Sequence, residues 1–177
     1  MTAGADRRTA ERIPKEARHR AREAALQMLY QWEVGRLSMF EVRQTFWEQR
    51  REGVAVDRDQ RHHGVAVDRS HEEDGRDSLP EQLRTFATAL ADGVASRVEE
   101  LDPLIAEAAE HWRLERMNVM DRLILRLAVY EFLHEPATPG KVVINEALEL
   151  ARSFSGDEAV RFINGILDGI RRKLARE

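Results

Sequence analysis

The sequence contains no cysteine, which excludes disulfide bonds and thiolate chemistry. No apolar run approaches the roughly 18 residues that a membrane-spanning helix needs, and the N-terminus lacks the apolar stretch of a secretory signal. Phosphate-binding glycine loops, dinucleotide fingerprints and nucleophile elbows are missing as well. These absences predict a cytoplasmic protein that does not enter a membrane, and they leave no signature of a catalytic site or of a cofactor.

Two sets of side chains could suggest a chemical site, but each has a simpler interpretation. Three histidines occupy a polar, glycine-flanked segment, which offers little rigid support for a metal ion: His62, His63 and His71. No metal site is predicted there. Four carboxylates fall on predicted helices and are expected to be solvated surface groups: Asp121, Glu131, Glu146 and Glu149.

Apolar periodicity predicts an all-α fold of about seven helices and no sheet. The first helix is expected to begin behind Pro14 and to stop near Gly35, and Ser38 can cap the second. The stretch from Val119 to Leu133 is apolar nearly all the way round, which is typical of a helix in the middle of a bundle.

Local start signals predict two further helix boundaries. Asp102 as cap and Pro103 as first helical residue are expected to open the fourth helix, with Trp112 facing inward. Ser155 and Glu158 have capping-box spacing for the last helix.

Two polar segments divide the chain. Residues 1–13 are predicted to be a flexible basic arm, and residues 14–177 a single helical domain. Within that domain, residues 52–78 are polar, glycine-punctuated and contain the sequence GVAVDR twice, at 53–58 and 64–69. We interpret this stretch as a mobile surface insertion between helices.

The strongest functional signal is a basic cluster around the start of the first helix. Between residues 7 and 22, seven basic residues stand against two acidic ones, a local charge of +5 in a chain of net charge -4. A helix N-terminus already carries partial positive charge, so cations there oppose the macrodipole. Arginine side chains and free backbone N–H groups can, however, bind the same phosphate. The cluster therefore predicts a phosphate-binding surface, with a generic basic tail as the alternative.

Single-stranded RNA fits this surface better than duplex DNA. There is no helix-turn-helix signature and little basic surface elsewhere, while His19 and Tyr30 could offer rings on which bases stack. Arg20 and Arg22 are expected to be exposed on the first turns of the helix. On this interpretation, RNA phosphate neutralises the crowded positive charge.

Three phrases of the sequence resemble the NusB family of bacterial transcription antitermination factors: ARHRAREAALQMLYQWE, KVVINEALELARSF and RFINGILD. The resemblance covers residues 15–50 and 79–174. It implies an all-helical fold of two small packed bundles and a non-enzymatic role. It further implies binding of boxA-type single-stranded RNA together with NusE, a ribosomal protein of the small subunit. That complex helps RNA polymerase read through terminators, notably in ribosomal RNA operons.

The resemblance also implies roles for individual residues. The RNA contact falls on the start of the first helix, at Lys15, Arg18, His19, Arg20 and Arg22. His19 stands in a run where arginine is common in relatives. Tyr30, Arg161 and Phe162 match family positions near the same surface, and plain core packing is an equal alternative for Phe162. Asp121 falls where the family presents an acid towards NusE.

Two alternatives to an RNA-binding adaptor remain open. NusB-like domains also occur in ribosomal RNA cytosine methyltransferases, in which a cofactor-binding domain follows the helical one. Some NusB-like proteins form homodimers that cover the RNA surface, so a homo-oligomeric interaction protein is the other alternative.

Overall fold

In a computed structural model of the protein, residues 14–51, 79–110 and 112–175 are described. The predictions of a flexible arm at 1–13 and a mobile insertion at 52–78 lie outside these ranges, as do the three histidines of the insertion. The described residues form seven α-helices: α1 Lys15–Gly35, α2 Met39–Arg51, α3 Glu81–Ala95, α4 Val98–Ala108, α5 Val119–His134, α6 Gly140–Phe154 and α7 Asp157–Lys173. A short 3-10 turn, Leu114–Arg116, precedes α5, and no strand occurs within the described ranges.

The helices form two small bundles that share one core. Helices α1, α2 and α3 pack together, while α4 to α7 form the second bundle. Helix α5 contacts α1 and α3 of the first bundle as well as α4, α6 and α7, and residues all round it are buried. The predicted all-α fold and the central position of α5 are therefore confirmed. None of the helices in the described part of the chain is long and apolar enough to cross a membrane.

The predicted ends of α1 and start of α2 agree with the structure. Helix α1 ends at Gly35, after which Arg36 adopts a left-handed conformation with φ 52°. Ser38 and Glu41 then cap α2 reciprocally: the Glu41 backbone N–H donates to the Ser38 hydroxyl at 3.3 Å, and the Ser38 N–H donates to the Glu41 carboxylate at 2.8 Å. Two otherwise unpaired backbone groups are thereby satisfied.

The predicted start of α4 is wrong. The helix begins at Val98, directly after the tight turn that ends α3, so Pro103 lies inside it rather than at its first position. The Asp102 carboxylate does not cap; it accepts hydrogen bonds from Arg126 at 2.7 and 2.8 Å. Trp112 follows the end of the helix and is 58% exposed instead of facing inward. A long-range ion pair therefore outweighed the local start signal.

The predicted capping box at the start of α7 is also wrong. Gly156, with φ 101°, occupies the position before the helix, and no side chain caps it. This backbone conformation is accessible to glycine at little cost. Ser155 ends α6 instead, through a backbone hydrogen bond to Ala151. The sharp turn between α6 and α7 is therefore made by backbone hydrogen bonding and the backbone conformation of Gly156, without a side-chain cap.

An ionic network joins the two bundles at one end of the α1–α5 contact. Arg122 donates to Glu33 of α1 at 2.8 Å and to the Leu114 carbonyl at 3.0 Å. Arg126 donates to the other Glu33 oxygen at 3.2 Å in addition to its contacts with Asp102 of α4. These bonds fix the end of α1 and the middle of α4 against the first half of α5.

Gly93 of α3 is required by close packing, which gives a first prediction. A Cβ atom at this position would overlap the ring of Tyr130 on α5. We expect Gly93→Ala to lower the free energy of unfolding by about 1–3 kcal/mol because α3 and α5 must separate. For a chain of this size each kcal/mol lowers the Tm by about 2–4 °C.

Gly165 of α7 is the matched control, since a Cβ there would meet no atom within 4 Å. Gly165→Ala should raise the free energy of unfolding by up to about 1 kcal/mol through helix propensity. Thermal unfolding followed by circular dichroism measures both variants. Equal Tm values for Gly93→Ala and the unaltered protein would contradict the packing argument.

Candidate nucleic-acid interface

The first turns of α1 present cations to solvent. Lys15 and Arg18 are exposed, and His19 and Arg20 are half-buried. No side chain caps the helix start at Pro14, and Glu16 is the one acidic residue of the first turn. Backbone N–H groups and cationic side chains therefore face the same region, which is the arrangement that favours an anion.

Arg22 differs from its neighbours, because it is buried in the protein. Its side chain is 3% exposed, and Nε and Nη2 donate to the two oxygens of Glu131 on α5 at 2.9 and 2.6 Å. Arg22 lies on the same helix face as Ala25, Leu26 and Leu29, which are all buried. The expectation that Arg22 is exposed is therefore wrong.

The Arg22–Glu131 contact is a bidentate pair between a guanidinium and a carboxylate. Burial opposes the charge on Arg22, but the hydrogen bonds and the charge of Glu131 outweigh it and raise the pKa of Arg22. Burial also raises the pKa of Glu131, and Arg22 opposes that rise. Because a guanidinium keeps its proton, we treat the pair as ionised on both sides.

A second buried carboxylate, Glu146 of α6, joins this pair to His19. Its Oε2 atom lies 2.9 Å from His19 Nδ1 and 4.0 Å from Arg22 Nη1. The hydrogen bond to Glu146 raises the pKa of His19, although burial acts against it. Burial alone would raise the pKa of Glu146, but His19, Arg22 and Lys15 together lower it.

Part of the positive charge at the start of α1 is compensated by carboxylates inside the protein. Glu131 and Glu146 are each 2% exposed, so the expectation that they are solvated surface groups is wrong. They approach the buried side of α1 from α5 and α6 and compensate Arg22 and His19. Lys15 and Arg18 remain on the solvent side. RNA phosphate is therefore not needed to neutralise all of the cluster.

The remaining residues assigned to RNA lie away from the start of α1. Tyr30 is half-buried against the core, two turns of α1 beyond Arg22. Arg161 is exposed on α7, and Phe162 is half-buried with its ring edge-on to Trp112, the centroids 5.5 Å apart. Core packing therefore accounts for part of the Phe162 side chain.

Asp121 lies in the first turn of α5 and is half-buried. Burial raises its pKa, and the nearby Ser155 hydroxyl partly opposes that rise. Neither Oδ1 of Asp121 nor Oγ of Ser155 has a well-formed hydrogen bond among the described residues. Asp121 precedes Glu131 by ten residues of α5, so about 15 Å of helix separates it from the Arg22 pair.

Both the sequence and the fold are similar to those of NusB proteins. The model of the NusB family matches residues 19–172. The transcription antitermination protein NusB of Koribacter versatilis is 43% identical over 160 residues, which cover 90% of this chain and 92% of that protein. The chain belongs to the NusB family.

Solved structures of NusB proteins have the same fold. T. maritima NusB matches with a TM-score of 0.64 at 29% identity, covering 88% of this chain and 91% of that one. A crystal structure of antitermination factors NusB and NusE in complex with double-stranded RNA contains a chain that matches with a TM-score of 0.67. That chain is 21% identical, with 90% of this chain and 99% of that one covered, so the second likeness shows the fold alone.

Within this NusB-family chain, the residues that sequence reasoning missed are Glu131 and Glu146. Glu131 interrupts an otherwise apolar run in α5, and a carboxylate inside such a run is a signal of a buried ion pair. Glu146 likewise falls between the buried residues Val143 and Leu150 on one face of α6. The position of each acid among apolar residues therefore indicates that it is buried, but does not indicate which cation it pairs with.

The buried pair gives a second prediction. Arg22→Ala leaves Glu131 buried without its bidentate partner, and breaking a buried pair in this way costs about 3–5 kcal/mol. Arg43→Ala is the control, because Arg43 and Asp92 also form an arginine–carboxylate pair, through one hydrogen bond of 2.9 Å, but their side chains are 42% and 35% exposed. That variant should lose about 1 kcal/mol or less. Equal losses in urea unfolding would contradict the assignment of Arg22 to the interior.

Proposed function

We propose that this protein is a non-enzymatic RNA-binding transcription antitermination factor. It binds boxA-type single-stranded RNA together with NusE and acts in the RNA polymerase antitermination complex to promote transcription of ribosomal RNA operons. Such a role places it in the cytoplasm, where nascent RNA is made. Membership of the NusB family supports this proposal, since the relatives are transcription antitermination proteins.

The observation that carries RNA binding is the exposed cationic start of α1. Lys15 and Arg18 are solvent-facing, and Arg20 and His19 are partly so, beside a helix start without a side-chain cap. Phosphate contacts from such groups supply affinity without sequence preference. We call Lys15, Arg18, His19 and Arg20 the α1 cationic surface and assign the phosphate contacts to it. Arg22, buried and paired with Glu131, anchors this part of α1 to the core.

A second region supports contacts with unpaired bases. Trp112 is exposed, packs against Phe162 and lines an open groove of about 590 Å³ together with Arg113 and Arg116. Exposed aromatic rings flanked by arginine are suited to stacking on the bases of a single strand. Arg161 next to Phe162 adds another exposed cation on α7.

NusE is proposed as the protein partner. Support comes from the solved complex of NusB and NusE with RNA, whose NusB-like chain has this fold. Asp121 is our choice for the interface acid, because it is a half-buried carboxylate in the first turn of α5 and part of it remains accessible to a cationic group of the partner.

Self-association is the second candidate. Three apolar side chains around the α1–α2 connection are exposed: Val34, Leu37 and Phe40. Exposed apolar groups close together favour a protein contact. Light scattering of the chain alone, run beside the partner titrations below, distinguishes a homodimer from a monomer.

The third prediction tests the α1 cationic surface. Arg18→Ala should weaken binding of a boxA RNA oligonucleotide and leave the Tm unchanged, because the side chain is exposed. Loss of one phosphate contact should flatten the plot of log affinity against log salt concentration by about 0.7. Arg172→Ala is the control, since Arg172 is 70% exposed near the end of α7. An effect of Arg172→Ala equal to that of Arg18→Ala would indicate binding by overall charge alone.

The fourth prediction tests the role of NusE. The α1 cationic surface is small and the chain is acidic overall, so we expect RNA affinity to be weak alone and strong in the complex. By linkage, the factor by which NusE strengthens RNA binding equals the factor by which RNA strengthens NusE binding. A calorimetric cycle with the three components measures both factors.

Within that cycle, Asp121→Lys should weaken the NusE step by more than the RNA step. Glu48→Lys, which makes the same charge change at an exposed site on α2, is the control. If the chain alone binds boxA RNA as tightly as the complex does, NusE is not the partner that completes the site.

A further inference from the structure

Two buried acids beneath the start of α1 face one buried cation that is permanently charged. Glu131 and Glu146 both approach Arg22, whose single positive charge cannot balance two carboxylates, and Lys15 acts on Glu146 only from the exposed side of the helix. The group that can supply the second positive charge is His19, whose Nδ1 lies 2.9 Å from Glu146 Oε2. In a low-dielectric site an unbalanced carboxylate is costly. The site is therefore balanced when the His19 ring carries a proton on both nitrogens.

The groups that face His19 and its partners come from three helices. Glu146 of α6 contacts the ring. Glu149 of α6 and Glu23 of α1 add negative charge near it. Glu131 of α5 and Glu135, the residue after the end of α5, act on Arg22. Lys15 and Arg22 act on Glu146. The hydrogen bond that the ring donates to Glu146 raises the pKa of His19 above its usual value, and the charges of all three acids near the ring act in the same direction.

His19 also belongs to the α1 cationic surface. It lies between Arg18 and Arg20 in the chain, and its side chain is 26% exposed. Because Nδ1 faces Glu146, a protonated ring keeps its Nε2–H donor for a group outside the protein. One ring can therefore contact a buried acid and a phosphate at the same time.

We propose that Glu146 is a positioning residue of the α1 cationic surface: it orients His19 as a cation beside the arginines, so that RNA binding is coupled to a proton on His19. This inference rests on the proposed function. It gives Glu146 a task that a purely structural buried acid would not have. Arginine at position 19 would make the same surface independent of pH.

The direction of the pH effect follows from linkage. The pKa of His19 is raised in the folded protein, so the stabilisation from its contact with Glu146 is complete below the usual pKa of about 6.5 and is lost as the pH rises through the folded value. A phosphate of bound RNA next to the ring also favours the protonated form of His19. RNA must therefore bind more tightly at the lower pH. The RNA affinity should become constant at pH values below the pKa of His19 in the free protein and above its pKa in the RNA complex.

The fifth prediction is a pH series of RNA affinity between about 6 and 8.5, measured by fluorescence anisotropy with a labelled boxA RNA oligonucleotide. The unaltered protein should bind about three- to fivefold more weakly at the high end, which is the effect of one partly exposed charge. His19→Arg should bind tightly across the whole range. His19→Gln should bind weakly across the range, and Glu146→Gln should move the fall in affinity to lower pH.

His134→Gln is the matched control. His134 is 29% exposed and lies 3.2 Å from a carboxylate, Glu100, but it is outside the α1 cationic surface. This variant should keep the pH dependence of the unaltered protein. Circular dichroism and Tm of every variant at both pH limits show that the comparison is made on folded protein.

Proton NMR of the His19 ring gives a readout that does not depend on affinity. Its pKa should be raised in the free protein, rise further on adding the RNA, and fall in Glu146→Gln. RNA binding that is independent of pH in the unaltered protein, or a pH dependence that persists in His19→Gln, would overturn the inference alone. Absence of RNA binding by every variant, including His19→Arg, would overturn the proposed function and this inference with it.

Discussion

The buried ion pair between Arg22 and Glu131 is the interaction on which the arrangement of this protein depends. A guanidinium that is 3% exposed must have a partner, because an unpaired charge in the interior would cost far more than the folded state can lose. Glu131 supplies that partner from the central helix α5. The pair therefore determines which face of α1 enters the core and which face remains for a ligand.

Helix α1 is held against α5 at both ends. The Arg22–Glu131 pair fixes the first turns, and Glu33 with Arg122 and Arg126 fixes the last. Between them lie the buried apolar residues of α1. Two ionic contacts eleven residues apart along α1 reinforce the register that this packing sets, since sliding the helix would break both. The exposed cations at the start of α1 are consequently displayed on a rigid element, which limits the entropy lost on binding a ligand.

Most of the fold could be predicted because its signals are local. Apolar periodicity located the helices, and the all-round apolar character of α5 identified the centre of the bundle. The errors occurred where a local signal competed with a distant contact. Asp102 could cap a helix but instead pairs with Arg126. Ser155 does not cap α7, because Gly156 occupies the position before that helix.

The sequence by itself determined that α1 begins with concentrated positive charge and that an apolar helix lies at the centre of the fold, because composition and periodicity are properties of neighbouring residues. Tertiary structure decided which cations face inward. Arg22 meets an acid 109 positions away, and His19 meets one 127 positions away. No local pattern encodes such pairings. The pairing of Glu131 and Glu146 with α1, and with it the division of α1 into an anchored side and a free cationic side, exists only once α5 and α6 have packed against α1.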